Sequence, residues 1–500
     1  MNFSKALIAN IERTYTYSFA KNNFMYPGAA DGYEPVDFFI KQLHLSNPFK
    51  IFMELERVAY KSALNYLNKY EIPYTKEQQR KARIYSDITE KMQACRSDYV
   101  SEYMEDLDDL KDTGIVICKP KYTMTTEETL YVTEELEKLP KHKKTFNVVY
   151  DNSIPALLKE SEEQYSALRN CLTNHISCLI GGAGTGKSFL TASIVHQLQK
   201  NNKEVVVLAP THKAKEALQE KLDEEKVNVK VRTIHSYVHK PVGCQAIVID
   251  ESGMLSTPLF YQLLMSYANQ QLVFVGDKNQ IPPVEYGRPF EKIQQMFPTF
   301  ELKANRRSGA RDIIALGREI LGIPQNANMP KPHIELALSS QEAFQKGAEV
   351  ELTYRNKDVA EINEEQRIKN GTPTISPKMS IGDVVVAKTN DQKRHFFNGQ
   401  IFEMVSPNAA QKKNSSDVVI FKTQKDLEMN FDLAYGLTIH KSQGSEWDVV
   451  AYQPSELDTQ NLAYVAVTRA KKKLIIVGDK LKTEYKAERR WQHIDELNSI

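Results

Sequence analysis

The stretch SCLIGGAGTGKS at residues 177–188 decides how the rest of the chain is read. A short apolar run leads into Gly181, Gly182, Ala183, Gly184, Thr185 and Gly186, then Lys187 and Ser188, and a helix-like segment follows. The spacing GxxxxGK[ST] suits a loop whose backbone N–H groups wrap phosphate oxygens, and glycine permits the tight path. The start of the following helix adds its dipole to the same anion site. Lys187 is expected to reach the β- and γ-phosphates and Ser188 to ligate Mg2+. A chance match is a poor account of a strand, a loop and a helix in that order.

Outward from the loop, short apolar runs alternate with helical stretches: EVVVLAP, QAIVIDE, QLVFVGD and, much later, KKLIIVGD. Uninterrupted apolar runs between helices read as strands of a parallel sheet covered on both faces. The chain is therefore α/β, with functional loops expected at the strand C-terminal ends. QAIVIDE ends in Asp250 and Glu251. Asp250 can hold the Mg2+ shell, and Glu251 can polarise an attacking water. An acidic pair alone is weak, since many strands end in acids; following a phosphate loop by about sixty residues, it becomes specific.

Five hundred residues exceed one core and imply two to four domains. A composition with 41% hydrophobic and 26% charged residues is that of a soluble globular protein. The net charge of +1 excludes histone-like or tail-driven nucleic-acid binding and leaves room only for a local groove. Cys95, Cys118, Cys171, Cys178 and Cys244 have no CxxC spacing, so neither a zinc site nor a disulfide framework is indicated. No run approaches the roughly 20 apolar residues that span a bilayer, and no secretory leader is evident, so a cytoplasmic location without membrane association is expected.

Residues 1–150 have a different texture: aromatic near the start, helix-like from Pro48 to about Met104, and acidic at 102–112, which reads as a solvated helix face. A strand candidate (IVIC) and a polar helix candidate (TTEETLYVTEELEKL) close this region. Between 378 and 432 the pieces IGDVVVAKTN, HFFNGQIFEMV, DVVIFKT and LEMNFDL read as short strands of a small inserted β-barrel.

With the phosphate loop and the acidic strand end in place, the chain resembles the superfamily 1 helicases, and more closely their RecD/Dda-like branch. The resemblance covers about 160–480 and rests on motifs in the expected order. Gln164 matches the family's adenine-reading glutamine. LAPTHKAKEAL matches a motif that touches the single strand, carrying Pro210, Thr211, His212 and Lys213, and TIHSY matches another, with Thr233 and His235. In GDKNQIPPV, Gln280 is the expected γ-phosphate sensor. LKANRRSG supplies Arg307, with Arg306 as the alternative register, for a phosphate-facing arginine. LTIHKSQGSEWDVV links nucleotide and track, through Thr438, His440 and Lys441 on the strand and Glu446 on the nucleotide. YVAVTRA provides Arg469, which resembles the arginine finger. The other basic and aromatic candidates for the track are Lys215, Tyr237, Phe396 and Phe397, each of which reads equally as a core or surface residue.

The resemblance implies two RecA-like parallel-sheet motor domains, a small SH3-like insertion and a mostly helical N-terminal domain. The expected boundaries are 1–150 for the accessory domain, 151–320 for the first motor domain, 321–377 with 433–500 for the second, and 378–432 for the insertion. It also implies a monomeric ATP- and Mg2+-dependent motor moving 5′→3′ on single-stranded DNA and at junctions with duplex; residues 1–150 are the candidate for a wedge or for docking a protein partner. An RNA-directed motor and an ATP-gated loader with little unwinding remain as alternatives. Two departures stand out. Phe402 replaces the second glycine of the insertion's NGxxG turn. Only VHKPVGCQ separates TIHSY from the acidic strand, which is too short for the strand-splitting hairpin of the branch, given strands of about five residues.

Overall fold

Strands that are apolar at every position must be covered on both faces, and two sheets in this chain meet that demand. A computed structural model describes residues 64–65, 68, 74–100, 115–118, 123–139, 161–306, 309–326, 329–369, 378–391, 393–413, 415–478 and 493. The acidic stretch 102–112 and most of 1–73 lie outside them.

Within 1–150 the described elements are α1 (Lys76–Cys95), the antiparallel pair β1 (Ile115–Cys118) and β2 (Thr123–Thr126), and α2 (Glu127–Lys138). Thr75 and Gln78 form a capping box at the start of α1. Ile84, Ile88 and Met92 of α1 pack with Ile115, Met124 and Tyr286, a residue of the following domain.

The first large sheet is built from α3 (Glu162–Thr173), β3 (Ile176–Gly181), α4 (Lys187–Lys200), β4 (Val205–Ala209), α5 (His212–Glu224), β5 (Val231–Thr233), α6 (Ile234–His239), β6 (Ala246–Ile249), α7 (Thr257–Met265), β7 (Gln271–Gly276) and β8 (Thr299–Leu302). Its six strands run parallel in the order β5-β4-β6-β7-β3-β8. Strands β3, β6 and β7 are buried throughout. Leu190, Ile194 and Leu198 of α4 cover one face. Phe260 and Leu263 of α7 cover the other, and Val132 and Leu136 of α2 join them, with Tyr131 edge-on to Tyr261 at 5.1 Å. The parallel register pairs Ile180 with Gly276 and Ile249 with Phe274, so the ends of β3, β7 and β6 lie side by side.

The second sheet uses α8 (Arg311–Ile320), β9 (Ile334–Ala337), β10 (Val350–Thr353) and α9 (Asn356–Lys369) before an insertion, β11 (Val384–Ala387), β12 (Ile401–Ser406), β13 (Ala409–Lys412), β14 (Val418–Ile420) and β15 (Phe431–Leu433). It resumes with β16 (Gly436–Thr438), α10 (Ile439–Ser442), β17 (Trp447–Tyr452), α11 (Gln460–Thr468) and β18 (Ala470–Val477). Its order is β16-β10-β17-β18-β9, all parallel. The expected domain boundary at 320 falls too late. Ile313, Leu316 and Ile320 form one stripe of α8 and pack with Val350, Tyr464 and Leu474, so this helix belongs to the second lobe.

The insertion is an antiparallel five-stranded sheet, β14-β13-β12-β11-β15, with a bulge between Met404 and Ser406. The piece LEMNFDL is only half strand: its first residues close the helix Gln424–Asn430, capped by Thr423, and β15 starts at Phe431. Phe402, in place of the turn glycine, is buried against Phe431 at 5.1 Å. Among the described residues no helix is long and apolar enough to cross a membrane.

Phe431 is fully buried among Phe396, Phe402 and Phe421. Phe431→Ala is expected to cost about 3–5 kcal/mol in the stability of the insertion, read as a lowered urea midpoint; an unchanged midpoint contradicts this packing.

Candidate nucleotide site and nucleic-acid interface

The phosphate loop leaves β3 and enters α4 through Gly184 (φ 75) and Gly186 (φ 88), both in the left-handed region that glycine tolerates. Lys187 Nζ donates to the carbonyls of Gly181 (2.6 Å) and Gly182 (3.1 Å). Charge-assisted bonds to phosphate are stronger than bonds to a neutral carbonyl, so a nucleotide can draw this lysine away. Ser188 follows on the first turn of α4. Gln164 is buried, with its amide 3.5 Å from the Thr185 carbonyl.

Asp250 and Glu251 stand at the end of β6, beside the loop. Burial and the neighbouring Glu251 push the Asp250 carboxyl up to about 7, and Lys187 pulls it back. Glu251 takes φ 50, a strained position for a non-glycine residue. A half-buried carboxyl whose proton is held tightly, a serine on the first turn of α4 and a lysine parked on carbonyls together fit a nucleotide with Mg2+, which Asp250 and Ser188 would hold. Among the described residues no cluster of three or more His, Cys, Asp or Glu forms a metal site of its own.

The segment after β7 faces the second lobe. Gln443 donates to Gln280 Oε1 (3.3 Å), and Asn461 donates to the carbonyls of Asn279 (2.9 Å) and Gln280 (3.2 Å). Tyr464 accepts the Ala183 N–H at 2.8 Å and donates to Asp277 at 2.8 Å. Tyr464, Asn461 and Gln443 were assigned no role from sequence; Tyr464 sits within YVAV, an apolar setting that reads as core.

Several expected site residues are placed differently. Arg469 is buried and bonded within its own lobe, to the Val465 and Ser445 carbonyls at 3.2 Å each. Arg307 lies outside the described residues, whereas the alternative, Arg306, lies against the loop: its N–H donates to the Gly184 carbonyl at 2.7 Å and its guanidinium meets Ser161. Glu446 is exposed on a cleft between α5, the insertion and the second lobe, and no phosphate-loop residue lines that cleft. Glu446 immediately precedes β17, and its expected nucleotide contact is not seen in this arrangement.

The three track motifs share one local design. Thr233 and Thr438 end strands and Thr211 lies two residues past β4; each caps the next helix, accepting the N–H of Ala214, Ser236 and Lys441 in chain order. Thr233 and Thr438 are buried in that role, whereas His440 and Lys441 are exposed and His235 is half-buried. Pro210 precedes the Thr211 cap. Lys213 turns to the Lys441 carbonyl at 2.8 Å, and burial with nearby Arg469 pushes its ammonium down to about 7. His212 stacks on Phe397 with centroids 4.0 Å apart, and Lys215 lies 5.7 Å from the same ring. Burial and Lys215 hold His212 down to about 4, so it is neutral at pH 7. Tyr237 and Phe396 are core residues, 1% and 0% exposed, and cannot stack on bases as considered from sequence.

A tandem of parallel sheets with a phosphate loop on the first and hydrogen-bonding partners on the second defines a two-lobed RecA-like P-loop nucleotide-binding protein. Residues 159–321 match the AAA domain family, and residues 433–477 match the UvrD-like helicase C-terminal domain. The ATP-dependent RecD2 DNA helicase of Deinococcus radiodurans is 28% identical over 356 residues, covering 64% of this chain and 49% of the relative. The RecBCD enzyme subunit RecD of Mycolicibacterium smegmatis is 25% identical over 405 residues, covering 66% and 73%. A solved Pif1 from Bacteroides bound to ssDNA has a TM-score of 0.46 at 17% identity, covering 66% of this chain and 94% of that one. Across both lobes the chain is similar to RecD-type superfamily 1 helicases. It spans about half the length of the Deinococcus relative.

Because the folded Asp250 carboxyl holds its proton more tightly than an unfolded one, the stability it contributes is full at low pH. That contribution is lost as pH rises through about 7. Without nucleotide or metal, Asp250→Asn is expected to melt above the unsubstituted protein at pH 8 and level with it near pH 4. A gap that does not change with pH removes this assignment.

Proposed function

We propose that the protein is an ATP-driven motor that moves 5′→3′ along single-stranded DNA and opens duplex at a junction. The observation that carries this reading is the set of hydrogen bonds from Gln443, Asn461 and Tyr464 onto the segment Asp277–Gln280 beside the phosphate loop. Whatever occupies the loop acts on groups that also hold the second lobe, which is what coupling hydrolysis to movement needs.

In this reading Lys187 moves from the loop carbonyls to the β- and γ-phosphates, and Gln164 reads the base edge. Ser188 and Asp250 hold Mg2+, which neutralises charge on the phosphates. Glu251 accepts a proton from the attacking water, and Gln280 orients that water. Arg469 leaves the Ser445 carbonyl when the lobes close and supports the charge that develops on the transferred phosphoryl group. The single strand lies over the capped helix starts carrying His212, His235 and His440, where helix N-termini and lysines favour phosphate. The support for 5′→3′ polarity is the resemblance to the RecD/Dda branch.

A second reading is a translocase or loader with little unwinding. It is favoured by the segment Lys240–Gln245, which links α6 to β6 without any strand among its residues. The described part of residues 1–150 packs on the first lobe through Tyr131 and Tyr286, which leaves it available as a wedge or a docking surface.

Lys187→Ala is expected to abolish DNA-stimulated ATP hydrolysis while keeping the fold, measured by phosphate release and circular dichroism. Normal turnover by that variant would overturn the site. On duplexes with one single-stranded tail, unwinding is expected from the 5′ tail and not from the 3′ tail. Stimulated hydrolysis without strand separation from either tail selects the translocase.

A further inference from the structure

One peptide group in the phosphate loop is held from both ends and by both lobes. The Gly182 carbonyl accepts from Lys187 Nζ at 3.1 Å, and the N–H of the same peptide, on Ala183, donates to the Tyr464 hydroxyl at 2.8 Å. Tyr464 in turn donates to Asp277, whose other carboxyl oxygen accepts the Asn279 N–H at 2.9 Å. Both Tyr464 and Asp277 are buried, at 2% and 3% exposure. The space around the tyrosine is cut to fit. A Cβ on Gly182 would sit 3.0 Å from its hydroxyl, and one on Gly317 of α8 would sit 3.2 Å from its ring.

We propose that Tyr464 is a positioning residue that senses the terminal phosphate for the second lobe, an inference that rests on the nucleotide reading above. Without nucleotide its hydroxyl stands in for a phosphate oxygen at the Ala183 N–H. Asp277 lies three residues before Gln280, the residue assigned to the terminal phosphate in the reading above, so that reading puts the terminal phosphate at this corner of the loop. A triphosphate draws Lys187 off the Gly182 carbonyl and takes the Ala183 N–H for itself. Tyr464 then keeps its bond to Asp277 and releases its hold on the first lobe, and it shields the incoming phosphate from the buried carboxylate. A diphosphate leaves the Ala183–Tyr464 bond in place. Occupancy by the γ-phosphate is thus converted into the loss of one cross-lobe hydrogen bond on the helix that also carries Arg469.

Tyr464→Phe removes one oxygen and keeps the ring. In the nucleotide-free variant the half-buried Ala183 N–H has no protein partner, and a triphosphate supplies one. Release from competition with the tyrosine hydroxyl makes the triphosphate bind tighter, by up to about tenfold, and Asp277 loses its partner in both states, so its effect cancels. The test is equilibrium binding of a fluorescent non-hydrolysable ATP analogue and of fluorescent ADP to the full chain, with and without the substitution. The expected result is tighter binding of the analogue alone, with ADP unchanged. Equal shifts for both nucleotides mean a merely structural ring and overturn the proposal, as does weaker binding of the analogue. If the unsubstituted chain binds neither nucleotide, the site reading beneath the proposal fails instead.

Discussion

A loop that offers its backbone N–H groups to an anion cannot spend them on a helix or sheet ladder, so the frame around it must hold its shape. Here that frame is β3, hydrogen-bonded on both sides by β7 and β8, and closed behind by α4. The parallel register does the remaining placement. Because Ile180 lies opposite Gly276 and Ile249 opposite Phe274, the phosphate loop, Asp277 and Asp250 emerge together at the C-terminal end of the strands. Every chemical assignment in the first lobe follows from that alignment. A one-residue slip in any of these pairings would turn its strand's side chains to the wrong face.

The second sheet carries little chemistry of its own and serves to aim α10 and α11 across the cleft. Its contacts to the nucleotide side of the first lobe converge on Asp277–Gln280 and on Ala183, while on the track side the Lys441 carbonyl accepts from Lys213. Arg469 sits at the end of the same helix that carries Asn461 and Tyr464. Its bonds to the Val465 and Ser445 carbonyls satisfy a buried guanidinium at rest, which is otherwise costly. A cation held in this way would reach the nucleotide, as proposed, only after a change in the relation between α11 and the loop.

The parts of the fold legible in the sequence are those where burial dictates composition. Strands covered on both faces must be apolar throughout, and SCLIGG, AIVI and LVFV announce themselves. The allegiance of α8 was not legible, because its stripe of Ile313, Leu316 and Ile320 says only that it packs, not on which sheet. Phe396 and Phe397 make the same point at finer scale. They are neighbours in sequence, yet one is fully buried in the insertion and the other meets His212 on the first lobe. Tyr464 was hidden for the opposite reason: its ring is core, and only its terminal oxygen reaches the site.

The insertion ties to both lobes, and the character of the two ties differs. Toward the second lobe, Arg367 of α9 pairs with Asp383 at 3.4 Å, with side chains 4% and 2% exposed, and Tyr435 donates to the same carboxylate. Toward the first lobe, Lys412 meets Glu216 at 3.1 Å with both side chains 26% exposed, and Gln400 shares that carboxylate. Breaking a buried pair leaves an uncompensated charge at a cost of about 3–5 kcal/mol, whereas exposed pairs contribute roughly 1 kcal/mol or less. Were the lobes to move relative to each other, as the proposed motor requires, the contacts at Glu216 and the His212–Phe397 stack would be the ones to yield, and the insertion would stay with the second lobe.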